Sequence, residues 1–390
     1  MNVLFLTHNY PRHSRDYSGV FLHLLARQLR AENISVTVLA PHDAGIPESE
    51  ELDGIPVRRF RYATDAKETF AYRGNMHRQL LSPTGIYRFR RFLNAMKQSA
   101  VALTREKSFD LISAHWAIPA ARVAAQVAGQ TNLPLVVHSH GTDVRLLSSL
   151  LPARIFAGPA LKQAKRWTVV SSYLQSIAQD IFPSLAEKIE VCPLPNDEVL
   201  FHPVETGTRN PGAIVSVTRF TEQKRVAVLI DACDILYKRS VNFTLQLYGA
   251  GPLEESIRKR ITNRNLERHV SISGPVPQPQ LPEIYSHAQI VALTSFKEGF
   301  GLTLVEGALC GAMPVGVNSG GITDIIEHGK SGLLAEADNA ESLADVLQEA
   351  LSNPDRTRQM AEVAQKSARE RFTGPAVARR YAEVYRYAIG

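Results

Sequence analysis

The chain has little that would staple it, anchor it or commit it to a metal. Three cysteines in 390 residues, Cys192, Cys233 and Cys310, stand singly among apolar neighbours. They form no C-x-x-C pair, which excludes a disulfide framework and argues against zinc, so buried reduced thiols are expected. No apolar run approaches the ~18 residues that a membrane-spanning helix needs. The opening MNVLFLTHNYPR has a short apolar segment without a basic lead and does not read as a signal peptide, so a cytoplasmic protein is expected. Zinc-finger, helix-turn-helix and aromatic RNA-binding signatures are missing, and no nucleic-acid partner is expected. The fingerprint G-x-G-x-x-G is missing too, which removes the main support for a dinucleotide dehydrogenase. A D-x-D pair is also absent, and neither a metal nor a cofactor is expected.

What is there is ordinary in bulk and specific in pattern. Composition is that of a globular protein, 44% hydrophobic and 21% charged, with a length that suits two or three domains. The net charge of +6 decides nothing, since it suits an anionic small molecule, a membrane surface or nucleic acid equally. Short apolar runs (Val3 to Leu6, Val36 to Ala40, Leu111 to Ala114, Leu133 to Val137, Arg166 to Val170) alternate with helical patterns such as Phe21, Leu22, Leu25 and Leu29. That alternation predicts a parallel α/β domain. The prolines and polar residues from Pro195 to Gly212 read as a linker, after which Ala213 to Val217 restarts the alternation.

Loops after parallel strands usually carry function. The first loop, HNYPRHSRDYSGVF, holds Gly19 near a helix start, either an ordinary turn glycine or a place where backbone meets a phosphate. His115, His138 and His140 stand at strand tips without a carboxylate pair, so hydrogen bonding fits them better than metal. Asp143 can orient His140, receive a hydroxyl or cap the next helix. Arg219 and Lys224 follow the strand Ala213 to Val217, where two cations suit a diphosphate or are simply solvated. Between Ala71 and Lys107, Tyr87, Phe92, Leu93, Met96, Ala100 and Leu103 share a face opposite Arg88, Arg90, Arg91, Lys97 and Arg105. Such a basic helix near 86–105 either packs one face on a sheet or also touches anionic lipid.

The most informative stretch is Lys297 to Gly321, KEGFGLTLVEGALCGAMPVGVNSGG. Glu298 precedes a glycine turn (Gly299, Phe300, Gly301), a helix is expected from about Gly301 to Leu309, and Glu306 lies two turns in. A helix start of this kind presents unpaired N–H groups and a positive dipole end to an anion or a sugar oxygen. The plain alternative is one dipole-favouring acid and one solvated acid.

The segment E-G-F-G-L-T-L-V-E-G-A with Gly320 and Gly321 downstream resembles the donor-site signature of retaining glycosyltransferase family 4, glycosyl transferase group 1. The resemblance extends along the chain and is strongest from Val215 to Leu334. It implies the GT-B fold: two doubly wound Rossmann-like domains facing a central cleft, 1–195 on the acceptor side and 196–374 on the donor side. A terminal helix, 375–390, crosses back to the first domain. It implies transfer from a nucleotide-diphosphate sugar, a UDP-sugar before a GDP-sugar, to a hydroxyl of a glycan, a lipid-linked or a small-molecule acceptor, with retention and without metal. Arg219, Lys224 and the backbone from Gly299 through Phe300, Gly301 and Leu302 to Thr303 would hold the diphosphate, with Gly19 approaching it from the first domain. Glu306 would hold the ribose, Glu298 the donor sugar and Val276 the base. His115, His140 and Asp143 would line the acceptor and sugar side. Two departures stand out: PLPNDEVLF lacks the family's usual glycine, and Arg225 replaces the glycine that commonly follows the lysine. A GT-B epimerase and a non-catalytic partner subunit are the other readings.

Overall fold

Eight strands of the first half lie in one sheet: β1 (Asn2–Leu6), β2 (Ser35–Pro41), β3 (Ser49–Leu52), β4 (Ile55–Phe60), β5 (Leu111–His115), β6 (Leu135–Ser139), β7 (Arg166–Val169) and β8 (Ile189–Val191). Their order is β3-β4-β2-β1-β5-β6-β7-β8. Every pairing is parallel except the edge hairpin β3–β4. The computed structural model describes residues 1–13, 16, 18–73, 76–204 and 209–390; parts of the first loop, of the stretch before the basic helix and of the expected linker lie outside them. The chain divides into two units, Met1–Pro195 with Val377–Gly390, and Asn196–Ala376.

In the first unit β1, β5 and β6 are buried along almost their whole length, the usual state of a parallel strand covered on both faces. The terminal helix, Gly374–Ile389, completes this core. Val377, Tyr381, Val384 and Tyr385 join Val3, Phe5, Leu25 and Val36 in one apolar cluster. The basic helix runs from Pro83 to Glu106 and buries Phe92, Met96, Ala100 and Leu103. Tyr87, expected on that face, is instead 62% exposed, and Leu81 and Ile86 stand out beside it. The first turn of the helix extends beyond the surface that its later turns cover.

The second unit holds β9 (Ala213–Val217), β10 (Thr244–Tyr248), β11 (Val270–Gly274), β12 (Ile290–Leu293), β13 (Met313–Val317) and β14 (Leu333–Ala335). All pairs are parallel, in the order β11-β10-β9-β12-β13-β14. Numbered within the unit this is 3-2-1-4-5-6, the Rossmann order, and it puts a topological switch between β9 and β12. The turn after Pro195 needs no glycine. Asp197 Oδ1 accepts from the N–H groups of Val199 and Leu200, and no residue from 195 to 201 takes a positive φ. The three cysteines are free and buried.

Candidate functional site

The switch in the second sheet brings together residues far apart in sequence. Lys224 follows β9 and Glu298 follows β12, and their side chains form an ion pair at 2.6 Å, both mostly buried. The two loops are clipped at the backbone level as well. Thr294 Oγ1 donates to the Lys224 carbonyl (2.9 Å), and Phe296 N–H donates to the Gln223 carbonyl (2.8 Å). Burial alone would raise the Glu298 carboxyl, but the Lys224 ammonium outweighs it and holds Glu298 below the usual range. Glu298 is therefore ionised at neutral pH. Arg219 is exposed, and no ion pair is found for it among the described residues.

The helix Leu302–Leu309 begins at Gly301, whose φ of 117° is open to glycine but strained for other residues. Gly307 lets the helix lie flush on β12, since a Cβ there would come within 2.5 Å of Val291. That approach fixes where the helix N-terminus, with Leu302 and Thr303, stands relative to Lys224 and Glu298. Phe300 turns inward against Phe372 (5.3 Å), so only its backbone faces the loop. Glu306 is buried, and Tyr285 Oη donates to its Oε2 at 3.0 Å. Burial pushes its carboxyl up to about 7, although hydrogen bonds from Tyr285 and Gln278 pull the other way. Neither partner carried a signal in the sequence, because the short helix that supplies Tyr285 is contiguous with Glu306 only in space. Val276 lies in the loop after β11, half-buried. Arg225 takes φ 51°, the left-handed conformation that a glycine adopts freely, and spends its charge on Asp338 (2.8 Å). A cavity of about 340 Å³ lies near Asn210, Gln289, Gly311 and Pro354, at the amino end of the sheet, and none of the candidate residues lines it.

In the first unit the strand tips behave differently from the expectation. His115 is fully buried, stacked between His138 and His140, with Nδ1 3.2 Å from His140 Nε2. It backs His140 and lines no surface. Asp143 is buried as well, and its oxygens accept from the N–H groups of Ala117 (2.8 Å), His140 (3.2 Å) and Gly141 (3.2 Å). Asp143 thus clamps the tip of β5 to that of β6. His140 is half-buried, and burial holds its imidazole down to about 3. Gly19, φ 69°, caps the helix Val20–Gln28, and a Cβ there would lie 2.9 Å from the Asn9 carbonyl oxygen. The close approach it permits is thus to its own chain. One side-chain cluster among the described residues, His42, Asp65 and Glu68, has metal-like spacing. Both His42 nitrogens are already engaged, by Glu68 (2.6 Å) and the Ile46 carbonyl (2.7 Å). Trp116 and His8, which sequence reasoning passed over, stand at the switch between β1 and β5.

Two sheets of doubly wound, almost wholly parallel order in one chain, one of them with a glycine-led helix start after a strand at its switch point, define a GT-B protein. The chain belongs to the glycosyl transferases group 1 (family 4): that family's profile matches residues 202–367, and the glycosyl transferase 4-like domain matches 18–196. It is similar to an N-acetyl-alpha-D-glucosaminyl L-malate synthase of Bacillus anthracis, 25% identical over 79% of this chain and 83% of that one. It is also similar to a GDP-mannose-dependent alpha-(1-6)-phosphatidylinositol monomannoside mannosyltransferase of Mycobacterium tuberculosis, 24% identical over 91% and 90% of the two chains. Among solved structures, Anabaena HepE in complex with UDP and glucose superposes with a TM-score of 0.73 at 22% identity, covering 98% of this chain and 99% of that one. That likeness speaks for the fold.

Proposed function

We propose that the protein transfers a sugar, with retention and without metal, from a nucleotide-diphosphate sugar to a hydroxyl of a glycan, lipid-linked or small-molecule acceptor. The observation that carries this reading is the Lys224–Glu298 pair, formed where β9 and β12 lie side by side at the switch point of the second sheet, with the glycine-led Leu302 helix start following Glu298 in the chain. Arg219, with a fork that matches two phosphate oxygens, and the helix N-terminus take up charge that grows on the leaving diphosphate. Lys224 keeps Glu298 ionised and directed toward donor-sugar hydroxyls. Glu306 takes the ribose hydroxyls, and backbone near Val276 takes the base. The acceptor then attacks on the face the diphosphate leaves, and a diphosphate oxygen takes its proton. A UDP donor is favoured by the HepE complex and a GDP donor by the mannosyltransferase.

The test is thermal unfolding with UDP, GDP and ADP, without added metal. A nucleotide at 100 times its Kd adds about 2.7 kcal/mol, which is expected to raise Tm by several degrees for one base and not the others. No shift with any nucleotide overturns the reading in favour of a silent partner subunit. Turnover of the donor without acceptor would favour an epimerase.

A contact with membrane is the finer part of the proposal, supported by exposed Leu81 (88%), Ile86 and Tyr87 beside exposed Arg88, Arg90 and Arg91. No single helix among the described residues is long and apolar enough to cross a bilayer. Co-sedimentation with phosphatidylglycerol vesicles but not phosphatidylcholine vesicles is expected, and loss of that binding in Leu81→Ser/Tyr87→Ser. Equal recovery with both lipids, or none with either, removes the membrane from the account.

A further inference from the structure

Trp116 sits one residue past β5 with φ 72°, a conformation that bulky side chains rarely adopt. Among the described residues, more than half of the other non-glycine residues in that region (Asn33, Asp53, Asn132, Asn265 and Asp338) are asparagine or aspartate, types that occupy it with less strain. The surroundings hold Trp116 there. Its N–H donates to the His138 carbonyl at 2.7 Å, and the N–H of the next residue, Ala117, donates to Asp143 Oδ2 at 2.8 Å. The backbone is pinned to the tip of β6 on one side and to a buried carboxylate on the other. A tryptophan side chain is thereby placed at the carboxyl edge of the first sheet, at the switch between β1 and β5, where open α/β sheets take their ligands.

The neighbourhood of this indole differs from that of the buried imidazoles behind it. Deeper in the unit, His115 stacks on His138 and His140, and His138 stacks on Tyr381. Trp116 meets its neighbours only at steep angles: His8 at 4.6 Å and 67°, His140 at 4.5 Å and 62°, Phe21 at 6.0 Å and 62°. No ring among the described residues lies parallel to it, and it is half-buried. The chain's other tryptophan, Trp167, is fully buried and donates its indole N–H to Ser139 Oγ at 2.9 Å. Among the described residues the Trp116 indole N–H has no such partner. Tryptophan combines a broad apolar face with one donor, and when buried that donor is normally satisfied. A half-buried indole with a free donor and no parallel ring on its face is suited to an outside molecule that offers both C–H groups and oxygen acceptors. Burial also holds His8 down to about 4 and His140 down to about 3, so both imidazoles that border the indole are uncharged at neutral pH. Neither imidazole then offers an anion a counter-charge, and a neutral polyol ring does not need one.

We propose that Trp116 is a stacking platform for a saccharide ring of the acceptor, bordered by Phe21, His8 and His140. The proposal rests on the glycosyltransferase reading and narrows its acceptor to one that presents a sugar ring. A pyranose laid on the indole contributes C–H contacts to the π face and an oxygen to the Nε1 donor, which orients its free hydroxyls outward.

Only two tryptophans are present, and Trp167 is sealed in the core as a constant background, so a ligand-induced change in emission is assigned to Trp116. The full-length protein, with and without UDP, is titrated with methyl glucosides, methyl mannosides and N-acetylglucosamine, with glycerol and inorganic phosphate as controls. A saturable change in emission with at least one sugar is expected, absent with glycerol and phosphate and lost in Trp116→Phe. Calorimetry on variants separates stacking from packing. Trp116→Leu, which keeps an apolar side chain and loses the ring, is expected to weaken the responding sugar about tenfold, and Trp116→Phe to weaken it less. Both variants carry the same backbone strain, and their Tm values and nucleotide-induced shifts check that they are folded. If no sugar perturbs the emission while a nucleotide shifts Tm, the platform is wrong and the transferase reading stands. If Trp116→Leu and Trp116→Phe bind the sugar equally, stacking is excluded. If sugars quench Trp116 while no nucleotide binds, the platform survives as a saccharide site and the transferase reading falls.

Discussion

Arg219→Ala is expected to lower kcat by about 10²- to 10³-fold, a loss of roughly 3 to 4 kcal/mol of transition-state stabilisation, with Tm almost unchanged. The reason for the split is local. The side chain is exposed and unpaired among the described residues, so folding does not depend on it, and surface changes of this kind usually fall within about 0.5 kcal/mol. Charge on a departing diphosphate does depend on it. Arg219→Lys restores part of the rate, because a single ammonium cannot bridge two oxygens as a guanidinium does. Lys224→Ala provides the contrast. It leaves the Glu298 carboxylate mostly buried without its 2.6 Å partner, so both stability and turnover should fall. Steady-state kinetics and thermal melts on the three variants check the pattern. Wild-type turnover in Arg219→Ala would remove the residue from the mechanism.

Glu306→Gln is expected to move stability and nucleotide affinity in opposite directions. The carboxyl is raised to about 7 in the folded protein, against 4.5 for the free group. The native state therefore holds the proton more tightly than the unfolded chain. The stability this contributes is complete below about pH 4.5 and is lost as pH rises through about 7, where the buried group must ionise. The shift corresponds to about 3 kcal/mol at the alkaline end. Glutamine has the same shape and cannot ionise, so the variant should match the wild type near pH 4.5 and exceed it at pH 8, as read from denaturant midpoints. Binding goes the other way. An ionised Glu306 accepts hydrogen bonds from a diol more strongly than an amide does, so wild-type affinity for the nucleotide should strengthen as pH climbs through 7. The variant should bind about 10- to 100-fold more weakly at pH 8 and show no such rise. A flat wild-type profile would mean that Glu306 does not meet the ribose.

Much of the fold was legible because parallel strands buried on both faces appear as plain apolar runs. Ile290–Leu293 and Leu111–Ala114 are examples, and both are buried throughout. The edge hairpin β3–β4 was not legible. Ser49–Leu52 is nearly all polar, and Arg59 reads as a surface cation although it is buried on Glu50 at 2.5 Å. Such a pair depends on the partner strand and leaves no local trace. The same limit applies at the site. The glycine turn and the two glutamates are contiguous in the chain, so their pattern is visible. Lys224 and Glu298 lie 74 residues apart and meet only because β9 and β12 are neighbours. The histidines misled for a related reason. Strand tips normally face ligands, but the terminal helix brings Tyr381 and Tyr385 against His138 and seals the inner imidazoles. The sequence leaves three roles open for Asp143, because its burial, which commits it to three backbone N–H groups, has no signature there.

The contribution of Val377–Gly390 to the first core also bears on how the protein is made. Tyr385 Oη lies 2.8 Å from Ser113 Oγ, and Tyr381 and Val384 pack with residues near the amino terminus. A ribosome delivers those last residues about 180 positions after the first unit has otherwise emerged, a delay of roughly 10 to 40 s at usual elongation rates. During that interval the nascent first sheet carries an uncovered apolar face, and at its end the second unit has its whole sequence while the first still waits for its last helix. Vectorial synthesis thus inverts the order of completion of the two units: the one begun first is finished last, and a nonsense mutation or a bulky tag near residue 377 would injure the unit encoded upstream.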